Sequence, residues 1–392
     1  MDLFDKCDNF QDARMAQQAG LYPFFIPLSQ TEGTEVTVNG HKLIMIGSNN
    51  YLGLTTHPRV KQAAIEAIET YGTSCTGSRL ANGTLKLHEE LDKQLAEFVG
   101  KEAALVFSTG FQVNLGVISA LVQKGDYVII DKEDHASIID GCLLARGEMK
   151  RFRHNDVADL ERVLAPLPKE AAKLVVVDGV FSMAGDIAPL PEIIPLCKEH
   201  NARLMVDDAH GLGVVGGGRG TSAHFGVTED VDLIMGTFSK SFASMGGFIA
   251  GDEQIVHYIK HFARAFIFSA SMTPSNVAAA LAALQVMKKE PEHVERVNAI
   301  ATRMRKAYTD LGFDIGTSCT PIIPIIVGDD TKTLFAWRAL YDAGVYTNAV
   351  LTPGVPPGKS LLRTSYMATH TDEQMDRVLG IFERVGKDLG LI

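Results

Sequence analysis

The segment 232–251, DLIMGTFSKSFASMGGFIAG, decides how the chain is interpreted, because it places a lysine between two apolar runs. The runs 233–235 and 248–250 are typical of buried strands, and Lys240 is the only charged residue after the first position of the segment. A desolvated lysine has a lowered pKa and acts as an amine nucleophile. A loop lysine that extends its ammonium group into water is the alternative. The segment alone does not separate these two interpretations.

Four further apolar runs precede this segment and alternate with stretches long enough for helices. They read ALVFST, YVIID, KLVVVDGV and RLMVDD. This alternation indicates buried parallel strands, so the sequence predicts an α/β fold with a large, doubly wound, mostly parallel sheet. Ligands bind outside the carboxyl ends of such strands. The polar residues that follow the runs are therefore expected on one rim, at 108–110, 134–135, 178–179, 207–210 and 237–240.

The two ends of the chain differ in pattern from this central part. GTEVTVNGHKLIMIGS alternates around an Asn-Gly turn and predicts a β-hairpin, and the FFIPL segment at 24–28 is expected to be a buried apolar turn rather than a lipid contact. After Pro291 long helices alternate with few strands. We therefore predict an N-terminal segment at 1–48, a large α/β domain at 49–288 and a small α+β domain at 289–392.

Composition excludes several classes of function. The net charge of −10 provides no basic field for nucleic acid or an anionic membrane, so peripheral membrane contact is the most we expect. The start, MDLFDKCDNF, lacks the order of a signal peptide, and no run has the length of a membrane span. The five cysteines are widely spaced and the twelve histidines show no metal-binding spacing. We predict a cytoplasmic protein without a metal site.

Two motifs suggest other classes of enzyme. Asp207 and His210 resemble two members of a hydrolytic triad, but the chain has no G-x-S-x-G turn for a nucleophile, and a structural ion pair is the alternative. GLGVVGG at 211–217 matches the dinucleotide pattern G-x-G-x-x-G. Its glycines continue to Gly220, where a helix should begin, and this favours a flexible loop. A nucleotide-dependent dehydrogenase remains a rival interpretation.

A lysine, a carboxylate and a phosphate-binding turn on one rim together match the needs of pyridoxal phosphate. This cofactor requires a lysine for its aldehyde, an aspartate for its ring nitrogen, and amides and hydroxyls for its phosphate. The turn at 108–111 opens a predicted helix, whose first amides and dipole attract phosphate. The sequence therefore predicts pyridoxal 5'-phosphate as the cofactor.

Motifs along nearly the whole chain resemble one family. They are SNNYLGL, GTSCTGSR, FSTGFQVNLG, DHASIIDG, VFSMAGD, VDDAHGLG, GTFSKS, FSASMTP and LLRTSYMATHT. The chain is identified by them as a member of the α-oxoamine synthases, a family of fold-type I pyridoxal-phosphate enzymes. Such enzymes condense an amino acid with an acyl-CoA and release CoA and carbon dioxide. The resemblance implies a homodimer with shared active sites.

The resemblance also implies roles for individual residues around the cofactor. Lys240 would form the imine and remove the substrate α-proton, Asp207 would pair with the ring nitrogen, and His210 would contact the ring hydroxyl. His135 would stack on the ring, and its alternative role is to start a helix. Further cofactor contacts are implied for Ser182 at the ring oxygen, for Gly110, Phe111 and Thr237 at the phosphate, and for Ser271 and Thr273 at the phosphate of the neighbouring subunit.

Three residues are implied to contact the amino-acid substrate. Arg363 would bind its carboxylate through paired hydrogen bonds, for which the guanidinium is well shaped, and an interdomain salt bridge is the alternative. Asn49 and Asn50 would lie nearby, and a capping or turn role is their alternative. The sequence leaves both alternatives open.

The residue before the lysine indicates the substrate. Family members that use glycine or alanine generally carry glycine there, whereas this chain has Ser239. This difference favours L-serine with a long-chain acyl-CoA such as palmitoyl-CoA. The alternatives are alanine with a pimeloyl thioester and glycine with an acetyl donor. A catalytically silent subunit would lack the lysine, so the presence of Lys240 disfavours that interpretation.

Overall fold

A computed structural model describes residues 2–392. Its strands form three sheets around which the helices pack. The strands are β1 (Gln30–Glu32), β2 (Glu35–Val38), β3 (His41–Met45), β4 (Ala103–Phe107), β5 (Tyr127–Asp131), β6 (Glu148–Phe152), β7 (Lys173–Asp178), β8 (Arg203–Asp207), β9 (Leu233–Thr237), β10 (Gly247–Gly251), β11 (Ile322–Gly328), β12 (Val345–Tyr346), β13 (Asn348–Val350) and β14 (Ser360–Ser365).

The α-helices range from a single turn to five turns in length. They are α1 (Asp5–Asp8), α2 (Asp12–Gln18), α3 (Pro58–Tyr71), α4 (Lys86–Val99), α5 (Gly110–Leu121), α6 (Ala136–Leu144), α7 (Val157–Leu164), α8 (Leu190–Glu199), α9 (Thr221–His224), α10 (Glu253–Phe262), α11 (Arg264–Ile267), α12 (Pro274–Lys289), α13 (Glu292–Leu311), α14 (Asp330–Asp342) and α15 (Asp372–Asp388). None of the helices among residues 2–392 is long and apolar enough to cross a membrane.

The central sheet has seven strands in the order β4-β10-β9-β8-β7-β5-β6. Strands β9, β8, β7, β5 and β6 run parallel, and β10 is antiparallel to both of its neighbours, β9 and β4. The predicted mostly parallel α/β sheet is therefore confirmed. Strand β6 was not among the predicted apolar runs, because it lies at the edge of the sheet and only Phe152 is buried in its sequence EMKRF.

Both faces of the central sheet are covered by helices, which explains the continuous apolar runs. Along β7, Val175 and Val177 pack in one core with α4, α7, α8 and α12, whereas Leu174 and Val176 pack in a second core with α5, α6 and α10. Successive side chains of a strand point to opposite faces, so a strand with two buried faces needs an apolar residue at nearly every position.

The other two sheets belong to the ends of the chain. β11, β14 and β13 form one sheet, and β1, β2, β3 and β12 form the other. The predicted hairpin is confirmed as β2 and β3, joined by Asn39 and Gly40, both in left-handed conformations. Because β3 pairs in parallel with β12, the N-terminal hairpin packs with the C-terminal part of the chain. The domain boundaries at 48 and 288 stay predictions.

The segment 24–28 is exposed, so the expected buried apolar turn is wrong. Phe25 is 92% exposed and Phe24 41% exposed. Two prolines, at 23 and 27, prevent a regular helix, and Phe25 takes a left-handed φ of 55°. The preceding helices α1 and α2 contain no buried residue that could cover the segment.

A histidine beside the central sheet joins two buried carboxylates. His154 lies between Asp131, at the end of β5, and Asp186, with 3.1 Å from a ring nitrogen to an oxygen of each carboxylate. Asp186 also accepts a hydrogen bond from Thr317, which precedes β11. Burial opposes a charge on His154, but the bonds to the two carboxylates outweigh it and raise its pKa to about 10. The charged ring therefore joins Asp131 to Asp186, and Asp186 in turn contacts the C-terminal part of the chain.

The variant His154→Gln is expected to lower the free energy of unfolding by about 2–3 kcal/mol at pH 6.5. The folded-state pKa is raised above the unfolded value of about 6.5, so this stabilisation is complete below pH 6.5 and is lost as the pH rises to about 10. Urea unfolding from pH 6 to pH 10 measures the difference, with exposed His41→Gln as the control. A difference that does not change with pH would contradict the charged bridge.

Candidate active site

A cavity of about 310 Å³ lies at the carboxyl ends of the parallel strands. Each of the five predicted polar groups contributes to its lining, so their convergence on one rim is confirmed. The contributing residues are Thr109, Gly110, His135, Asp178, Asp207, Ala209, His210, Thr237, Ser239 and Lys240. The neighbouring Phe111, also predicted as a site residue, lines the cavity as well.

Lys240 lies in the turn that joins β9 to β10 and is partly buried at the cavity wall. Burial lowers the pKa of its ammonium group to about 8, although Asp207 and Asp178 favour the charged form. Arg363 adds a smaller effect in the same direction as burial. A large fraction of the amine is therefore unprotonated near pH 8, as a nucleophile requires.

The reactivity of Lys240 in the cofactor-free protein is expected to rise about tenfold from pH 7 to pH 9 and then level off, because the neutral fraction saturates above a pKa of about 8. The measurement is the rate of aldehyde attachment, trapped with borohydride and located by peptide mass spectrometry. Lys240→Ala supplies the background of other lysines. A rate that keeps rising to pH 10.5 would show an ordinary, solvated lysine.

Asp207 ends β8, and its carboxylate is held at the cavity by two donors. Asn114 donates from Nδ2 to Oδ2 at 2.7 Å, and the amide of Ala209 donates to Oδ1 at 3.1 Å. Asn114 also donates to Ser137 and is completely buried in α5. Asn114 was missed by sequence reasoning, although an asparagine among the apolar residues of FQVNLG is a signal of a buried polar contact.

His210 is neutral and forms a hydrogen bond with a residue outside the cavity. Burial lowers its pKa well below the usual value, and the cationic Lys240 acts in the same direction. Its Nδ1 lies 2.7 Å from the hydroxyl of Tyr51, which is fully buried. Tyr51 belongs to the SNNYLGL motif but was not predicted as a site residue, because nothing in the local sequence indicates a contact 159 positions away.

His135 has the helix-start role and also lies at the cavity, and its stacking on the cofactor ring stays a prediction. It caps α6, where Nδ1 accepts a hydrogen bond from the amide of Ser137 at 3.2 Å, and it also lines the cavity. Burial lowers its pKa, so the ring is neutral. Its ring lies edge-on to Phe111, with the centroids 6.3 Å apart.

The turn before α5 is open toward the cavity and fits an anionic group. Thr109 caps the helix, and the amides of Gly110 and Phe111 begin its first turn. A Cβ atom at Gly110 would lie 2.6 Å from Oγ1 of Thr237, so a side chain would not fit there. Thr237 lies beside this turn, and its hydroxyl is 3.0 Å from that of Ser239.

Arg363, on β14, is a buried cation without an anionic partner. It is 4% exposed, and no carboxylate in residues 2–392 forms a salt bridge with it. Its Nε donates to the carbonyl of Ser182 at 2.6 Å, and its Nη2 donates to Oδ1 of Asn49 at 2.9 Å. An unpaired buried charge is costly, so the site favours an anionic ligand over the alternative of an interdomain salt bridge.

Six predicted site residues do not line the cavity, namely Asn49, Asn50, Ser182, Ser271, Thr273 and Arg363. Ser182 contacts Arg363 through its carbonyl, and the buried Asn50 donates its side-chain amide to Thr55 within the loop. The Ser271 amide donates to the carbonyl of Gly77, and Thr273 directly precedes α12 with its hydroxyl 3.2 Å from that of Ser275. The roles proposed for these residues at the cofactor or substrate stay predictions.

Asp178 is a cavity residue that the sequence placed on the rim without giving it a role. It is 3% exposed, and burial, together with the nearby Asp207, raises its pKa well above the usual value. Its backbone amide is fixed by the carboxylate of Asp134 at 2.8 Å. Burial and the nearby carboxylate therefore both disfavour a second full negative charge beside Asp207.

The glycine-rich loop at 211–220 does not form a dinucleotide site. Residues 211–215 are buried, and Asp208 accepts hydrogen bonds from the amide and the hydroxyl of Thr221 at the far end of the loop. The helix that follows, α9, has only four residues. The loop is a packed support beneath the cavity, so its glycines serve close packing rather than a pyrophosphate.

One histidine-rich cluster lies away from the cavity. His57, Glu290 and His293 bring ligand atoms within 4.8 Å of one another near the junction of α12 and α13. The Glu290 carboxylate already pairs with Arg59. In addition, Nδ1 of His57 accepts a hydrogen bond from the Arg59 amide. The proton of the neutral ring is therefore on Nε2, the nitrogen that would have to bind a metal.

Comparison with known proteins identifies the family. Residues 41–382 match the family described as aminotransferase class I and II, and the chain belongs to it. The chain is 49% identical to serine palmitoyltransferase of Sphingobacterium spiritivorum, over 98% of this chain and 97% of the relative. It is 42% identical to 8-amino-7-oxononanoate synthase of Thermoanaerobacter pseudethanolicus, over 96% of each chain. The resemblance found in the motifs is confirmed.

Solved structures agree with the central sheet and its surroundings. A variant of serine palmitoyltransferase from S. paucimobilis, described with a bound PLP-myriocin aldimine, superimposes with a TM-score of 0.97 at 40% identity over the full length of both chains. An 8-amino-7-oxononanoate synthase from Francisella tularensis has a TM-score of 0.77 at 24% identity, over 88% of this chain and 98% of that one, and shows the shared fold.

Proposed function

We propose that the protein is a pyridoxal-phosphate enzyme that condenses L-serine with a long-chain acyl-CoA to 3-ketosphinganine, with release of CoA and carbon dioxide. The observation that carries this proposal is the partly neutral amine of Lys240 in one cavity with the Asp207 carboxylate. The names of the relatives at about half identity over nearly the whole chain support the same reaction.

The residues of the cavity fit pyridoxal phosphate at three points. The amides at Gly110 and Phe111 and the hydroxyl of Thr237 would hold the phosphate, Asp207 would hold the ring nitrogen as a cation, and Lys240 would hold the aldehyde carbon. The bound cofactor supplies an electron sink for a carbanion at the substrate α-carbon.

The chain's own residues would then bind serine and move its proton. Arg363 offers a buried guanidinium to the serine carboxylate, and its geometry suits paired hydrogen bonds. The amine of Lys240, when it is not holding the cofactor, would take the α-proton, and its pKa of about 8 suits proton transfer in both directions. His135 lies at the cavity wall, where its neutral ring would cover the ring face of the cofactor.

The remaining parts of the proposal concern assembly and location. We infer a homodimer in which Ser271 and Thr273 reach the phosphate of the other subunit, since neither lines the cavity of its own chain. The five cysteines are all free, which fits a reducing compartment such as the cytoplasm.

The experiment that tests the substrate proposal pairs serine, alanine or glycine with palmitoyl-CoA or a pimeloyl thioester and identifies the products by mass. We expect turnover with serine and palmitoyl-CoA. Turnover only with alanine and the pimeloyl donor would instead assign 8-amino-7-oxononanoate synthase activity, which the relatives at 42–44% identity make the second candidate. A lack of visible cofactor absorption in the purified protein would contradict the cofactor assignment itself.

A further inference from the structure

A row of close polar contacts links the histidine of the cofactor cavity to the buried arginine. The Tyr51 hydroxyl lies 2.7 Å from Nδ1 of His210 and 3.3 Å from Oδ1 of Asn49. The same Oδ1 accepts from Nη2 of Arg363 at 2.9 Å. Tyr51 is fully buried and His210 is 6% exposed, so the contact between them is shielded from water, whereas Asn49, beside the 4% exposed Arg363, is half-buried.

The Tyr51 hydroxyl has a single proton and two acceptors within reach. Asn49 already receives a charge-assisted bond from Arg363, and its distance from the hydroxyl is 0.6 Å longer than that of His210. The favoured arrangement is therefore donation from Tyr51 to Nδ1 of His210. A neutral imidazole carries one proton, which this bond leaves on Nε2.

The backbone holds Tyr51 in place independently of its hydroxyl. The carbonyl of Tyr51 accepts a hydrogen bond from the amide of Ala368 at 2.7 Å, and its own amide donates to the carbonyl of Asn49 at 2.9 Å. The backbone of Tyr51, in the loop after β3, is thereby fixed to the segment after β14. The hydroxyl reaches His210 from a rigid support, as a positioning group requires.

We propose that Tyr51 is a positioning residue that fixes the tautomer of His210, with the proton on Nε2 and available to an acceptor in the cavity. The ligand-related part of this inference rests on the proposed function, in which that acceptor is the ring oxygen of the cofactor. The tautomer itself is a property of the cofactor-free protein and does not depend on the proposed function. Tyr51 thereby acts on the reaction through His210 and touches neither substrate nor cofactor.

The Arg363 side of the site depends little on the Tyr51 hydroxyl. With the Tyr51 proton donated to His210, Oδ1 of Asn49 accepts only from Nη2 of Arg363, and the Tyr51 hydroxyl oxygen lies 3.3 Å away without a proton for it. Arg363 is also held by the carbonyl of Ser182 at 2.6 Å, so loss of the Tyr51 hydroxyl leaves its main support intact. Removal of that hydroxyl is expected to disturb His210 strongly and the carboxylate site weakly.

The direct test is nitrogen NMR of the cofactor-free protein labelled with ¹⁵N-histidine, with the His210 signals assigned by comparison with His210→Gln. We expect an unprotonated Nδ1 and a protonated Nε2 in the unchanged chain and a mixture of tautomers in Tyr51→Phe. A protonated Nδ1 in the unchanged chain would overturn the proposal without any variant having to fold. An unchanged His210 signal in Tyr51→Phe would do the same.

The second test uses the cofactor-loaded protein and the same substitution. A donor at the ring oxygen favours its anionic form, so the pH midpoint of the visible absorption change is expected to rise by about 0.5–1 unit in Tyr51→Phe. We also expect kcat to fall about tenfold while KM for serine stays within about twofold. An unchanged midpoint would overturn the proposal.

A matched control is available in the C-terminal core. Tyr308 also forms a buried hydroxyl bond, 2.8 Å to Tyr366, away from the cavity. Tyr308→Phe should lower the melting temperature but leave the His210 signals and the absorption midpoint unchanged. If the protein binds no pyridoxal phosphate, the proposed function fails, whereas the NMR result still decides the tautomer.

Discussion

Lys240→Ala is expected to lower kcat/KM by at least about 10⁴-fold, the largest effect of any single substitution in the chain. The amine is both the attachment point of the cofactor and the base that takes the α-proton, so its loss removes two steps at once. Borohydride reduction followed by peptide mass spectrometry should find the cofactor attached to Lys240 in the unchanged protein and no attachment in the variant.

The control for this prediction is Lys124→Ala, which removes an exposed lysine outside the cavity and should leave activity unchanged. Lys240→Arg keeps a cation in the cavity but offers no nucleophile, so it should be as inactive as Lys240→Ala. A cofactor attachment that persists in both Lys240 variants would reject the assignment of the nucleophile.

Asp207→Asn is expected to lower kcat/KM by about 10²–10³-fold with less effect on stability. The amide keeps the shape of the carboxylate but removes the negative charge that would hold the ring nitrogen as a cation. In the unchanged protein the Asn114 side-chain amide donates to Oδ2 of Asp207. In the variant it would face either the neutral oxygen or the NH2 group of the new side chain. Activity and the visible spectrum of the loaded protein are the measurements.

The neighbouring Asp208 provides the matched control, since it is equally buried but turned away from the cavity toward Thr221. Burial raises the pKa of the Asp208 carboxyl group to about 7, so this group is partly protonated at neutral pH. The uncharged amide of asparagine resembles that protonated form. Asp208→Asn should change the melting temperature while the cofactor spectrum stays normal. Equal losses of activity in both variants would mean that the charge of Asp207 has no special role.

Much of the fold and the centre of the site could be predicted, because both follow from local patterns. A strand buried on both faces is a continuous apolar run, so β4, β5, β7, β8 and β9 were recognisable. The carboxyl ends of parallel strands meet on one rim, so the convergence of Asp207, His210 and Lys240 followed from that topology.

The residues that sequence reasoning missed act through contacts between distant parts of the chain. Tyr51 and Asn114 are each bonded to the site across many residues, and nothing in their local sequence specifies the partner. Strand β6 was missed because an edge strand needs little apolar surface. The exposed Phe25 was missed because an apolar composition does not state whether another part of the chain covers it.

The strand order of the central sheet sets a length for the ligand. The anion-binding turn follows β4, and Asp207 ends β8, three strand intervals away. Adjacent strands are about 4.8 Å apart, so the two ends of the site are separated by about 14 Å of backbone. Main-chain hydrogen bonds maintain this distance, and side-chain substitutions do not alter it. The strand order therefore fixes the distance between the two ends of the site. Substitutions around the cavity are expected to change the affinity for a ligand more readily than the length of ligand that is accepted.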